Sequence, residues 1–468
     1  MSGAPKTAPT AAGLSAQEKT DLLHRLALGR KQAPPPRPAA IEAKSIVPKS
    51  IVDELSGLES YEQLRTIRSA AEILGIADPF FRAHDGIAGA ETEIGGRRFI
   101  NFSSYNYLGL NGHPEVAEAA KAAIDRYGTS VSASRVVSGE RPIHRELELR
   151  LARLHGAEDC IVMVSGHATN VSVIGHLLSK GDLILHDALI HNSAVQGAQL
   201  SGARRLSFPH NDAAALGRLL EEQAGRYRHA LIVIEGHYSM DGDLADLPEF
   251  SALARAHNAW LLVDEAHSLG VVGARGHGVA EHFGLGTNAA DLWMGTLSKT
   301  LAGCGGYIAG RRELIDYLKL STPGFVYSVG LSPPVAAAAV AALDIMEREP
   351  ERVSKLQTAA RRFLDGARRA GLDAGQSVGL GIVPIITGGS ILAARLSDAL
   401  FTRGINVQPI LYPAVPEQSA RLRFFLSSDH TAAHIDTAIA ALAEETARLA
   451  AQTTDLAALA LAMRQRHS

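Results

Sequence analysis

Cysteine, aromatic side chains and surplus charge are all scarce in this chain. Cys160 and Cys304 are its two cysteines among 468 residues. That excludes a disulfide framework and a cysteine-rich zinc site; both thiols are expected to be buried and reduced, and no metal is expected. No apolar run reaches the roughly 18–20 residues that a membrane span needs. Lys and Arg number 46 against 49 Asp and Glu, a formal net charge of −3. The basic surplus that nucleic-acid binding draws on is therefore missing. The opening residues, MSGAPKTAPTAAG, hold no apolar core of the kind a secretory signal needs, and a cytoplasmic enzyme is the expectation.

What the chain does have is an ordinary globular balance, with 46% apolar and 20% charged residues. Its length suits one large or two to three ordinary domains. Glycine is plentiful, at 44 residues, and much of it falls in short motifs, which points to tight turns beside a ligand.

Residues 1–50 form an N-terminal extension rich in Ala, Pro, Lys and Ser. The run Pro34-Pro35-Pro36-Arg37-Pro38 favours an extended linker. Before it, Ser15 and Glu18 make a capping box ahead of a stripe of Leu22, Leu23 and Leu26. Residues 51–105 read as a helix from Ser60 to Leu74, stopped by Asp78-Pro79, then a hairpin from Glu91 to Ile100 around Gly95-Gly96. Over 106–334 helical patterns alternate with short apolar runs at 161–164, 183–185, 231–235, 260–264, 292–295 and 306–309. Such alternation predicts an α/β domain with a mostly parallel sheet, whose ligands bind at the carboxyl ends of the strands. Residues 335–452 read as a smaller α+β domain. It opens with a long Ala-rich helical stretch over 335–371, continues with strands near 382–387, 405–408 and 422–426, and closes on a helix over 433–450. Residues 453–468 are a tail.

Three strand ends carry reactive side chains. Leu261-Leu262-Val263 runs into Asp264-Glu265-Ala266-His267. A carboxylate leaving an apolar strand is desolvated and needs a cationic partner. Gly295-Thr296-Leu297-Ser298-Lys299 precedes the tight run Ala302-Gly303-Cys304-Gly305-Gly306. A lysine there can form a Schiff base if burial or a nearby cation lowers its pKa. Ser165-Gly166-His167 stands where a strand ends and a helix starts, a ready phosphate site. Singly, each has an ordinary reading as a cap, a surface lysine or a solvated neighbour. Together, a phosphate-binding helix start, an Asp and a Lys 35 positions later resemble the ordered set of pyridoxal 5′-phosphate (PLP) enzymes of the aspartate-aminotransferase fold, which implies an acid that keeps the ring nitrogen protonated.

In this order the motifs resemble those of the α-oxoamine synthases, PLP enzymes of the aspartate-aminotransferase fold that include 8-amino-7-oxononanoate synthase, 5-aminolevulinate synthase and serine palmitoyltransferase. The residues that carry the likeness are Asn106-Tyr107-Leu108-Gly109-Leu110, Arg135-Val136-Val137-Ser138-Gly139, the run Glu235 to Asp243 (EGHYSMDGD), Asp264-Glu265-Ala266-His267, Gly295 to Lys299 and Arg421-Leu422-Arg423. The resemblance implies that Lys299 holds PLP covalently, that Asp264 meets the ring nitrogen, that His267 meets the ring hydroxyl and that His191 stacks on the ring. It further implies that Gly166, His167, Ser239, Thr296 and Ser298 line the cofactor, and that Ser328 reaches the phosphate of a neighbouring subunit in a homodimer. Arg423 matches the residue that grips an amino-acid carboxylate, with Asn106 and Ala414 near the substrate. His167 departs from the commoner aromatic, and Ala414 stands where some relatives have Thr. The stretch Gly128 to Arg135 departs from the Gly-Ala-Gly pattern and is more similar to synthases of polyketide assembly lines, where an N-terminal tether would dock a carrier protein.

The implied reaction is the decarboxylative condensation of an amino acid with an acyl-CoA or acyl-carrier-protein thioester, giving an α-aminoketone, CO2 and free thiol. Three other readings stay open: a relative that keeps the carboxylate, an aminotransferase, and a non-catalytic partner subunit.

Overall fold

The computed structural model describes residues 55–450, apart from positions 56 and 74. The capping-box helix near Ser15, the Pro-rich linker and the tail from 453 lie outside the described residues. The chain divides into two compact units, one ending at Ser69 and one starting at Ala70. In the first the described residues open a helix, Glu59–Ile73. Everything that follows concerns the second.

A short strand β1 (His84–Asp85) leads into the hairpin β2 (Glu91–Ile94) and β3 (Arg97–Asn101). Its turn is Gly95-Gly96, with φ of +58° and +75°; positive φ at both central residues matches the strand twist, and glycine alone takes it without strain.

The main sheet has seven strands: β4 (Asp159–Met163), β5 (Leu183–Asp187), β6 (Arg204–Phe208), β7 (Ala230–Glu235), β8 (Trp260–Asp264), β9 (Leu292–Thr296) and β10 (Gly306–Gly310). Their order is β4-β10-β9-β8-β7-β5-β6. Pairing is parallel from β9 across to β6, while β10 runs antiparallel to both its neighbours. The strands read as continuous apolar runs because both faces are covered. Along β4, Cys160 and Val162 enter one core and Ile161 and Met163 the other. Along β7, Ile232 and Ile234 take the first side, Leu231 and Val233 the second. β6 was not legible as a strand: its sequence, Arg-Arg-Leu-Ser-Phe, belongs to a sheet edge that water reaches.

The Ala-rich stretch over 335–371 is two helices, Pro333–Arg348 and Glu351–Arg369. Pro350 breaks it, since proline offers no N–H to the preceding turn. The first of these helices packs on Pro114–Tyr127 and Pro142–His155. After the second come β11 (Ile382–Gly388), β12 (Ile405–Asn406), β13 (Pro409–Ile410) and β14 (Ala420–Phe425), with a closing helix Ala432–Ala450. β11, β14 and β13 form a three-stranded sheet. β12 leaves its sequence neighbours and pairs with β3 instead, where Asn406 Nδ2 donates to Asn101 Oδ1 at 3.0 Å. Among the described residues no helix is long and apolar enough to cross a membrane.

Candidate active site

The reactive residues meet at the carboxyl ends of the parallel strands. Glu235 ends β7 and lies in register with Asp264, which ends β8. Thr296 ends β9, and Lys299 follows on the turn into β10. Leu297 N donates to Gly305 O and Gly303 N to Leu297 O, both at 2.9 Å, so that turn is pinned across its neck. Arg423 reaches in from β14. These side chains line one cleft of about 330 Å³.

Its phosphate end is built by the helix Gly166–Leu177. Ser165 caps it, the hydroxyl accepting from Ala168 N, and the first amides of a helix have no partner within it. Glycine is required here. A Cβ on Gly166 would stand 2.8 Å from Thr296 Oγ1, and one on Gly306 would stand 2.6 Å from Gly166 Cα. Thr296 Oγ1 and Ser298 Oγ lie 2.8 Å apart on the opposite wall. The result is a concave, hydroxyl-lined seat at a positive helix end, suited to a phosphate.

Deeper in, Asp264 is almost wholly buried. Its Oδ1 accepts from Ala266 N at 2.9 Å and its Oδ2 from Asn170 Nδ2 at 2.8 Å. Lys299 is half-buried, and desolvation brings its pKa down to about 8, against the opposing pull of Asp264 and Glu235. Burial, followed by the Asp264 charge, pushes Glu235 up to about 8; its Oε2 accepts from Ser239 N, and its Oε1 has no partner. Burial also holds His267 well below its usual range, with Lys299 and Arg423 adding to the effect. His191 is lowered by desolvation, which Asp264 opposes.

Arg423 is anchored by donation from Nη1 to Ser239 O at 2.9 Å. Its guanidinium lies over the Phe425 ring, 4.6 Å from the centroid, and its buried Nε has no partner. A buried guanidinium N–H without an acceptor is a place waiting for an anion. The loop that supplies Ser239 O is tied down twice. Arg421 Nη1 donates to Asp241 Oδ1 at 2.6 Å. His210 lies between two carboxylates, its Nδ1 3.0 Å from Asp187 Oδ1 and its Nε2 3.0 Å from Asp243 Oδ2.

Of the residues singled out in the sequence, Gly166, His167, His191, Ser239 and Asp264 line the cleft, together with His267, Thr296, Ser298, Lys299 and Arg423. Three others do not. Asn106 spends its amide on the backbone, donating to Ala88 O at 2.8 Å and accepting from Asn111 N at 3.1 Å; its neighbour Tyr105 enters the cleft instead. Ala414 is exposed on the loop after β13. Ser328 lies beside Arg135 and Gly330, away from this cleft. Cys304 is not buried as expected: it is exposed and opens onto the cleft, because the glycine-rich turn around it has little side-chain bulk to cover it. The sequence reading missed Tyr105, Asn170, Ser193 and Glu235. Glu235 alone left a signal, a carboxylate ending an apolar strand as Asp264 does.

An anionic acid in the floor, a phosphate seat at a helix start, an amine between them and a guanidinium facing them fit PLP and an amino-acid carboxylate. That combination of fold and site defines the aminotransferase class I and II architecture, and the model of that family matches residues 97–442. An 8-amino-7-oxononanoate synthase from Methylobacterium nodulans is 45% identical over 356 residues, covering 76% of this chain and 89% of its own length. Another, from Symbiobacterium thermophilum, is 38% identical over 397 residues, covering 84% and 96%. Among solved structures, the serine palmitoyltransferase of Sphingomonas wittichii superposes with a TM-score of 0.79 at 30% identity, covering 83% of this chain and 97% of that one. That of S. paucimobilis, solved with bound PLP and myriocin, gives 0.81 at 29%, covering 86% and 100%. The chain belongs to the α-oxoamine synthases of the aminotransferase class I and II family, and its cofactor is PLP.

Proposed function

We propose that this α-oxoamine synthase joins an amino acid to an acyl thioester, with loss of the amino acid's carboxylate as CO2 and release of the thiol, to give an α-aminoketone. The observation that carries the reading is the convergence of Lys299, Asp264 and Arg423 on one cleft, with the buried Arg423 Nε still lacking an acceptor.

In this reading Gly166, His167, Thr296 and Ser298 would hold the cofactor's phosphate, Asp264 would meet its ring nitrogen, and Lys299 would tether it until the incoming amino acid's amine takes its place and frees the Lys299 amine. When bound, PLP supplies an electron sink for charge developing at the amino acid's α-carbon. The chain's own residues do the rest. Asp264, braced by two donors, would hold a positive charge on the ring nitrogen. Arg423 binds the substrate carboxylate and orients the α-carbon. The Lys299 amine, its pKa brought down to about 8, takes the α-proton at Nζ and returns it after CO2 has left, since a base works best with a pKa near the working pH. His191 and His267 offer N–H donors to oxygen atoms of the bound species.

The finer assignments belong to the same proposal. The thiol is CoA or an acyl carrier protein, and residues 1–50 are the tether that docks the carrier. The enzyme is a homodimer in which Ser328 serves the partner's phosphate seat. Residues 335–452 form the domain that carries Arg423. The test is to incubate enzyme and PLP with a panel of amino acids and acyl thioesters, following CO2, free thiol and aminoketone. All three should appear in equal amounts from one pairing. Thiol release without CO2, or amino-group exchange with a 2-oxo acid and no thioester, would refute the proposal.

A further inference from the structure

Three imidazoles line the cleft, and two of them, His191 and His267, are each held by a hydroxyl. Ser193 Oγ lies 2.8 Å from His191 Nδ1, and Ser193 N donates to the same nitrogen at 3.3 Å. A backbone amide can only donate, so Nδ1 is bare and the ring proton sits on Nε2. The next links agree. Asn170 Nδ2 donates to Ser193 Oγ at 3.0 Å and to Asp264 Oδ2 at 2.8 Å. Turning the amide over would set its oxygen against the Asp264 carboxylate. The serine hydroxyl, already accepting from Asn170, therefore sends its own proton to His191.

On the other side, Tyr107 Oη lies 2.8 Å from His267 Nδ1. The phenol is fully buried, and among the described residues this is its one hydrogen-bond partner. If it accepted a proton from Nδ1, its own O–H would be a buried donor with nothing to meet, a costly arrangement. The phenol therefore donates, and His267 also carries its proton on Nε2. Since Nδ1 of each ring is engaged by the protein, Nε2 of each is the nitrogen left for a bound species.

We propose that Ser193 and Tyr107 are positioning residues that lock His191 and His267 as neutral Nε2–H tautomers, so that these two rings present fixed N–H donors to the cleft and neither serves as a base. Neither of these two histidines can take a proton from the substrate at Nε2, which accords with the role given to Lys299. The surroundings reinforce the neutral state. His267 faces Lys299, Arg423, His237 and His191; His191 faces Lys299, His167 and Arg423, with Asp264 as the opposing charge. The assignment rests on the cofactor site described above, and it goes beyond that site in naming which protons sit where.

The experiment is nitrogen NMR of the full-length holoenzyme labelled with ¹⁵N-histidine, with His191→Gln and His267→Gln to assign the signals. Both rings should show a protonated Nε2 and a bare Nδ1, unchanged from pH 6 to 8.5. In Tyr107→Phe the His267 ring should show mixed tautomers and begin to titrate within that range, and in Ser193→Ala the His191 ring should do the same. In both variants kcat/KM should fall about tenfold, the worth of one hydrogen bond to a site group, with a new acidic limb in the pH profile. Melting curves check that the variants fold; should either not fold, the wild-type spectrum decides alone. A proton on Nδ1 of either ring in the wild type overturns the inference, as do folded variants with unaltered tautomers and pH profiles. An enzyme that makes aminoketone while showing Nδ1–H imidazoles would sink this inference and leave the proposed reaction standing.

Discussion

Replacing His210 with Gln should reveal how much stability one imidazolium supplies. The ring lies between Asp187 and Asp243, whose side chains are 0% and 7% exposed, while its own is 18% exposed. Burial works against its charge, yet the two carboxylates raise its pKa from 6.5 to about 10. The folded value exceeds the unfolded one, so the stabilisation is complete below pH 6.5 and is lost as pH rises towards 10. At about 1.4 kcal/mol per pH unit, the whole interval amounts to about 5 kcal/mol. A second route gives the same scale, since removing one partner from a buried ion pair costs about 3–5 kcal/mol. The assay is urea unfolding of wild type and His210→Gln at a fixed excess of PLP, by far-UV circular dichroism. The difference in unfolding free energy should be about 5 kcal/mol at pH 6 and about 3 kcal/mol at pH 8, and should nearly vanish by pH 10. A difference that stays flat across this range would refute the argument, because it would mean the ring is neutral in the folded protein.

Other perturbations follow from the same geometry. Lys299→Ala should abolish aminoketone formation while PLP stays bound without a covalent link, visible as free-aldehyde absorbance that dialysis removes; residual turnover at the wild-type rate would contradict the role given to the amine. Arg423→Ala should raise KM for the amino acid about 100-fold, the scale of a charge-assisted carboxylate contact, and leave KM for the thioester unchanged. An equal rise in both constants would place the arginine elsewhere in the reaction. Gly166→Ala should weaken PLP binding at least tenfold, because its methyl would lie 2.8 Å from Thr296 Oγ1; binding by fluorescence titration at wild-type strength would show the seat to be looser than described.

The parts of the site that were legible in the sequence share a cause. Asp264, Lys299 and Gly166 end apolar strands or follow them, and a strand end in a parallel sheet points at the ligand edge whatever surrounds it. The parts that were not legible depend on tertiary neighbours. Asn170 and Ser193 lie on two helices that meet only in the fold, and nothing local distinguishes them from ordinary helix polar residues. Tyr105 and Asn106 differ by one position, and irregular backbone there leaves no period from which to choose between them. The fold shows the same division. Strands buried on both faces stood out as apolar runs. Edge strand β6 did not, and β12 could not be paired from sequence because its partner β3 lies some 300 residues away.

The turn between β9 and β10 has a consequence for what sequence change the enzyme can absorb. Both of its legs are interior strands, and β10 is held on its far side by β4 as well. One residue added or removed between Thr296 and Gly306 would slip a ladder that the rest of the sheet keeps in place, moving side chains packed in one core onto the other face of the sheet. Leu297 and Leu301 of that segment belong to the core and a Cβ on Gly305 would stand 2.9 Å from Met163 O, so its length is constrained as well as its residues, and an insertion there should prevent folding before it alters catalysis.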